Sequence, residues 1–212
     1  MCTYALRHRG GAVSAALDIG LPFGHGPYTP DDLHNSPEEG KGYELWNGWL
    51  IEKMSPSGRH NRMGRGLRRL FVDAAERAGA DVFVDGGEYE FQFPTAVRKP
   101  DAFILEGAAE RELTEADALY LDPSDLYLVA EVVSRRSGSE AHDRKVKREE
   151  YAAAGIPQYW IVDFRPAFTI QVLNLEHGRY VDGPCVTGDE LLVVEQPFEI
   201  SVTPETVYLL GR

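Results

Sequence analysis

The chain has 212 residues, a hydrophobic share of 43%, a charged share of 26% and a formal net charge of -12. That composition supports one domain with a real core and excludes a wholly disordered chain. The acidic balance argues against nonspecific polyanion binding, which needs a basic surface, though a local basic groove stays compatible with it.

No stretch approaches the roughly 20 apolar residues of a membrane span, so no membrane partner is expected. Cys2 and Cys185 are the two cysteines, without CxxC spacing. This argues against a cysteine-ligated zinc site and makes a reduced, cytoplasmic setting the default. Residues 1–28 are rich in Gly and Ala without clear periodicity and read as a flexible N-terminal extension, with a domain over 29–212. Thr29-Pro30-Asp31 resembles a helix start, which predicts a short helix near 30–36.

Asn47-Gly48 lies between two strand-like runs, a strong hairpin signal, and predicts paired strands over 43–46 and 49–54. Glu44 and Glu52 are carboxylates on them. Met63, Leu67, Leu70, Phe71 and Ala74 recur at helical spacing and predict a helix over about 59–78. Arg62, Arg65 and Arg69 lie on another face, as solvated charges or, for Arg62 and Arg65, as contacts to phosphate oxygens. His60 falls at the helix start, where a structural or capping role is expected. The segment 81–94 reads as two short strands around Asp85-Gly86-Gly87 or one bent strand, with Glu88 and Glu90 on an exposed polar face.

Pro100 marks the start or edge of the strand in RKPDAFILE. Residues 106–125 read as an acidic connector. LYLVAEVVS is a near-continuous apolar run, as in a strand buried on both faces. A helix follows from about 140 to Ala154, stopped at Gly155. Residues 135–149 form a basic patch close to Glu131 in sequence, with Arg135 and Arg136 as further candidates for nucleic-acid contact. QYWIVD is another buried strand. A hairpin with its turn near 176–178 and one or two edge strands complete the chain.

Asp101 and Glu131 carry the chemistry. A buried apolar strand has little reason to hold a glutamate unless the carboxylate is paired or binds a cation. Mg²⁺, with Mn²⁺ as a substitute, takes oxygen ligands and uses one or two carboxylates plus waters and substrate phosphate. Lys147 lies four residues after Asp143, with Tyr151 one turn further. Spacing leaves open whether Lys147 enters such a site or forms a surface pair with Asp143. No GxSxG elbow occurs, which sets aside a serine hydrolase.

YELWNGWLIEKMSPSGRHNR, RKPDAFIL, LVAEVVS and DRKVKREEYAAAGIPQYWIVD, in this order, resemble the Uma-two family of the PD-(D/E)xK nuclease superfamily, over residues 29–175. The resemblance implies an α/β (α+β), restriction-endonuclease-like fold: a mixed β-sheet core flanked by helices, with an N-terminal β-hairpin. It implies an endonuclease acting on DNA, with Pro100-Asp101 as the PD element and Glu131 as the second acid, both binding metal. Lys147 stands for the motif lysine, because Val133 occupies its usual place. Glu44 matches the glutamate of the first hairpin, and Asp143, His60 and Tyr151 match recurrent positions. Cutting both strands favours two sites, hence a homodimer. The other class compatible with Val133 and the net charge is a catalytically inactive binding or assembly module.

Overall fold

In a computed structural model of the chain, residues 26–35, 42–53, 56–133 and 142–212 are described. Most of the expected N-terminal extension, together with Arg135 and Arg136, lies outside them. Helix α1 (Pro30–His34) starts at Thr29, whose hydroxyl and Asp32 form a reciprocal capping box. Strands β1 (Tyr43–Trp46) and β2 (Trp49–Glu52) pair around Asn47-Gly48, both at positive φ (48° and 77°), as this turn demands. Helix α2 (Gly58–Ala78) is capped by Ser57 and closed by Gly79 in the left-handed region.

Strand β3 (Val82–Asp85) is followed by β4 (Glu90–Phe93), β5 (Ala96–Arg98) and β6 (Ala102–Glu106). The chain crosses between sheets twice here. Strands β3 and β6 belong to one sheet, β4 and β5 to another, so the run around Gly86-Gly87 is not a hairpin. The two crossings touch each other: the Gly87 N–H donates to the Pro100 carbonyl at 2.6 Å. A Cβ on Gly86 would lie 2.2 Å from the Asp101 carbonyl oxygen, so only glycine lets the crossings stack.

The expected connector holds helix α3 (Gly107–Ala116) and the two-residue strand β7 (Tyr120–Leu121). Only Ala109 and Leu113 of this helix pack on the core, too few for a periodic signal in a ten-residue segment. Strand β8 (Leu126–Val133) follows, and then a π-helical turn over 142–146 leads into α4 (Lys147–Ala153). The chain ends with β9 (Gln158–Asp163), the hairpin of β10 (Thr169–Glu176) and β11 (Arg179–Thr187), the ribbon of β12 (Leu192–Val194) and β13 (Ile200–Val202), and α5 (Pro204–Leu210).

The central sheet has the order β11-β10-β9-β8-β6-β3, and a second sheet the order β2-β1-β5-β4-β7. Strands β8 and β9 are parallel and the other central pairs antiparallel, which makes the sheet mixed. Ile104, Leu128, Ala130, Val132 and Trp160 pack against α2 on one face. Phe103, Leu105, Val129, Val133 and Ile161 pack on the other, against α4 and the second sheet. Burial on both faces explains the near-continuous apolar strands. No helix among the described residues is long and apolar enough to cross a membrane.

Helix α5 docks on α2 through a close approach at Gly66. A Cβ there would lie 1.9 Å from the Val207 carbonyl oxygen. Gly66→Ala is therefore expected to destabilise the protein by about 1–3 kcal/mol, as overpacking does, despite alanine's better helix propensity. A urea midpoint equal to wild type would show that α5 contributes nothing.

Candidate active site

The strand pleat selects the face on which the candidate residues meet. Side chains alternate along a strand, so Glu131 shares a face with Val129 and Val133, and Asp101 shares one with Phe103 and Leu105. Both faces are the α4 side. The β6–β8 register pairs Ala102 with Ala130, so Asp101 lies one step beyond, opposite Glu131. Helix α4 covers this face and brings Lys147 and Tyr151 down on it.

Lys147 Nζ donates to Glu131 Oε1 at 2.8 Å and lies 3.3 Å from Asp143 Oδ1 and 3.8 Å from Glu44 Oε1. The Tyr151 hydroxyl donates to the same Glu131 oxygen at 2.7 Å. Asp101 Oδ2 accepts the Val132 N–H at 2.8 Å and lies 3.3 Å from His60 Nε2. The structure thus brings Asp101, Glu131, Lys147 and Glu44 into one cluster and adds Asp143, His60 and Tyr151. The i,i+4 pair of Asp143 and Lys147 is real, but it is buried rather than on the surface. Val133 is buried in the core, and the strand supplies no lysine.

Glu44 is saturated. Its two oxygens face Arg98 at 3.1 Å, the Lys99 N–H at 3.3 Å and Lys53 at 3.4 Å. Arg98 is wholly buried and also grips Glu150 of α4 through Nε at 2.7 Å. Glu44 therefore anchors Arg98, Lys53 and the Lys99 N–H. Arg98 and Lys53 escaped the sequence reading. The signal for Arg98 was the one used for Glu131, a charge placed in a short apolar strand.

Burial pushes Glu131 up to about 7; Lys147 pulls the other way, and Asp101, Asp143 and Glu44 add to the rise. Burial also acts to raise Glu44, but Lys147, Lys53 and Arg98 hold it well below the usual carboxylate range. For Asp101 the effect of burial is outweighed by His60, Lys53 and the Val132 N–H, and it too is lowered. His60 loses by burial but is raised overall by Asp101. Burial alone would lower Lys147, yet Glu131, Glu44 and Asp143 raise it, so it keeps its proton at neutral pH.

Because folding lowers Glu44 from its usual 4.5, its contribution to stability is present above that pH and is lost as the pH falls through and below it. Glu44→Gln is expected to flatten the acid limb of the stability curve between about pH 5 and pH 2. Urea unfolding across that range checks this; an unchanged limb would place the acid sensitivity elsewhere.

Among the described residues, no three His, Cys, Asp or Glu side chains form a complete metal cage. The donor set nonetheless suits a hard divalent cation, which needs only one or two carboxylates beside water and substrate. Among the described residues, Asp101 Oδ1 and Glu131 Oε2 accept no hydrogen bond, while the other oxygen of each does. Glu44, Asp101, Glu131, Asp143 and Glu150 face Lys53, Arg98, Lys147 and, beside Asp101, His60.

The arginines expected at phosphate have structural tasks here. Arg62 donates to the Tyr208 carbonyl at 2.9 Å and lies over its ring, and Arg65 donates to the Gly211 carbonyl. Both hold the C-terminal helix. The basic patch is also divided: Lys147 is buried, Arg148 binds the Tyr180 carbonyl and Asp182, and Arg144 pairs with Asp163. Glu90, expected on an exposed face, is buried between His34 and Lys99, each at 2.6 Å.

The fold, a mixed sheet flanked by helices with an N-terminal hairpin, is restriction-endonuclease-like. The sequence model of the Uma2 family, described as "Putative restriction endonuclease", matches residues 30–205, and the chain belongs to that family. A crystal structure of a nuclease described as putative and as belonging to DUF820, from Anabaena variabilis, is similar in fold. It aligns with a TM-score of 0.64 at 14% identity, covering 88% of this chain and 100% of that one. No curated protein matches the chain.

Proposed function

We propose that the protein is an endonuclease that hydrolyses DNA phosphodiester bonds with Mg²⁺, or Mn²⁺ in its place. The observation that supports this reading is the position of Asp101, one step beyond the Ala102–Ala130 pair of β6 and β8 and so opposite Glu131, each with one oxygen that accepts no hydrogen bond among the described residues. Asp101 Oδ1 and Glu131 Oε2 would hold the cation. Bound there, it supplies an activated water and neutralises charge on the phosphoryl group. Lys147 keeps its proton and provides a fixed positive charge beside Glu131, suited to the charge that develops on the phosphate. Glu44, through Arg98 and Lys53, keeps the cations of the site in place. His60 orients Asp101 from the start of α2. Lys53, a third exposed, is the cation closest to solvent. A homodimer would present two such sites to the two strands.

Purified protein is expected to nick or linearise supercoiled plasmid in Mg²⁺ and to do nothing in excess chelator. An RNA of the same sequence, tested beside the plasmid, separates a DNA enzyme from a ribonuclease. A second reading, a silent binding or assembly module, draws on Val133, buried where the superfamily lysine usually stands. Calorimetric titration with Mn²⁺ discriminates the two: the silent module takes up no cation at millimolar concentration.

A further inference from the structure

Among the described residues, the hydrogen bonds to the Glu131 carboxylate all reach one of its two oxygens. Lys147 and Tyr151 lie one helical turn apart on α4, and both donate to Glu131 Oε1, at 2.8 Å and 2.7 Å. A carboxylate on a glutamate side chain turns easily about its last torsion, which has a broad, two-fold profile. Two donors on one oxygen suppress that turning. The Tyr151 ring cannot follow a moving carboxylate. It is fully buried, 5.5 Å from the Phe93 ring and perpendicular to Tyr159 at 5.2 Å. Behind it Tyr159 donates to the Asp143 carbonyl inside the π-helical turn, and Tyr180 donates to the Ile156 carbonyl. Three buried tyrosines thus frame α4; among the described residues, Tyr151 is the one of them bonded to a carboxylate of the site.

We propose that Tyr151 is a positioning residue for cation binding: its hydroxyl, with Lys147, fixes Glu131 Oε1 and turns Oε2 toward the cation shared with Asp101. This rests on the nuclease reading above. Partners that hold a metal ligand from behind set its orientation, and removing one typically weakens metal affinity about 10–100-fold.

The test is calorimetric titration of Mn²⁺ into the wild type, Tyr151→Phe, Tyr180→Phe and Asp101→Asn. Tyr151→Phe keeps the ring and removes only the hydroxyl. Its Mn²⁺ affinity is expected to fall about 10-fold. Tyr180→Phe loses another buried hydroxyl, bonded to the Ile156 carbonyl and away from the carboxylates, and is expected to bind as the wild type does. A purely structural hydroxyl would lower the melting temperature of both variants and leave Mn²⁺ affinity unchanged. Binding by Tyr151→Phe within about twofold of wild type overturns the proposal and leaves the nuclease reading intact. A wild type that takes up no Mn²⁺ overturns both.

The unaltered protein gives a second readout. Saturation with Mg²⁺ should perturb the near-ultraviolet band of a tyrosine, because charge drawn from Glu131 is felt by the phenol bonded to it. A flat difference spectrum overturns the proposal even where Tyr151→Phe fails to fold.

Discussion

Asp101→Asn and Glu131→Gln are each expected to lower Mg²⁺-dependent cleavage by about three orders of magnitude while the fold survives. The loss follows from charge. A metal-bound carboxylate pair supports several kcal/mol of transition-state stabilisation, and each ~1.4 kcal/mol is about a factor of ten in rate. The fold should survive because each variant keeps its hydrogen-bonding oxygen and Lys147 keeps Asp143 and Glu44 as counter-charges. An amide oxygen at 101 can still accept the Val132 N–H, and one at 131 can still accept from Lys147 and Tyr151. Plasmid nicking, with circular dichroism as the control for folding, measures both. Undiminished cleavage by either variant would remove that residue from the site.

The second large effect is on stability and concerns Arg98. This guanidinium is wholly buried and bridges Glu44 of β1 and Glu150 of α4. Arg98→Met leaves Glu44 and Glu150 without the guanidinium that bridges them. Breaking a buried ion pair by removing one partner costs about 3–5 kcal/mol, and that loss is expected in urea unfolding. The triple variant Arg98→Met, Glu44→Gln, Glu150→Gln should recover part of it, because removing all the charges costs less than stranding some of them. A loss below about 1 kcal/mol in the single variant would mean that water reaches the pair, as at exposed ion pairs.

The sequence disclosed the parts of the fold governed by short-range physics. The Asn47-Gly48 hairpin, the Thr29 cap and the apolar stripe of α2 are local signals, and the structure has all three. Helix α3 was illegible because only Ala109 and Leu113 touch the core. The two sheets were illegible because nothing local says that the chain changes sheet at Gly86-Gly87 and again at Pro100-Asp101. In the site, Glu131 was readable from the cost of burying a carboxylate, and Asp101 from the resemblance of Pro100-Asp101 to the PD element. Lys147 was readable only as one of two alternatives, since an i,i+4 pair looks the same buried or exposed.

Arg62 and Arg65 show where composition misleads. A guanidinium suits a phosphate oxygen and a backbone carbonyl equally well, and here both arginines take carbonyls of the C-terminal segment. Glu90 shows the converse. Its alternation with Glu88 suggested a solvated face, but its partners, His34 and Lys99, come from elsewhere in the chain. The acidic net charge also has a partial explanation in the site, where carboxylates outnumber fixed cations among the described residues.

The central claim is that Asp101 and Glu131 share one divalent cation. Anomalous diffraction from crystals soaked in Mn²⁺ tests it most directly. A single strong peak is predicted about 2.0–2.6 Å from Asp101 Oδ1 and Glu131 Oε2, the range of oxygen–cation bonds. No peak between these two carboxylates, or a peak only at surface carboxylates, would contradict the account.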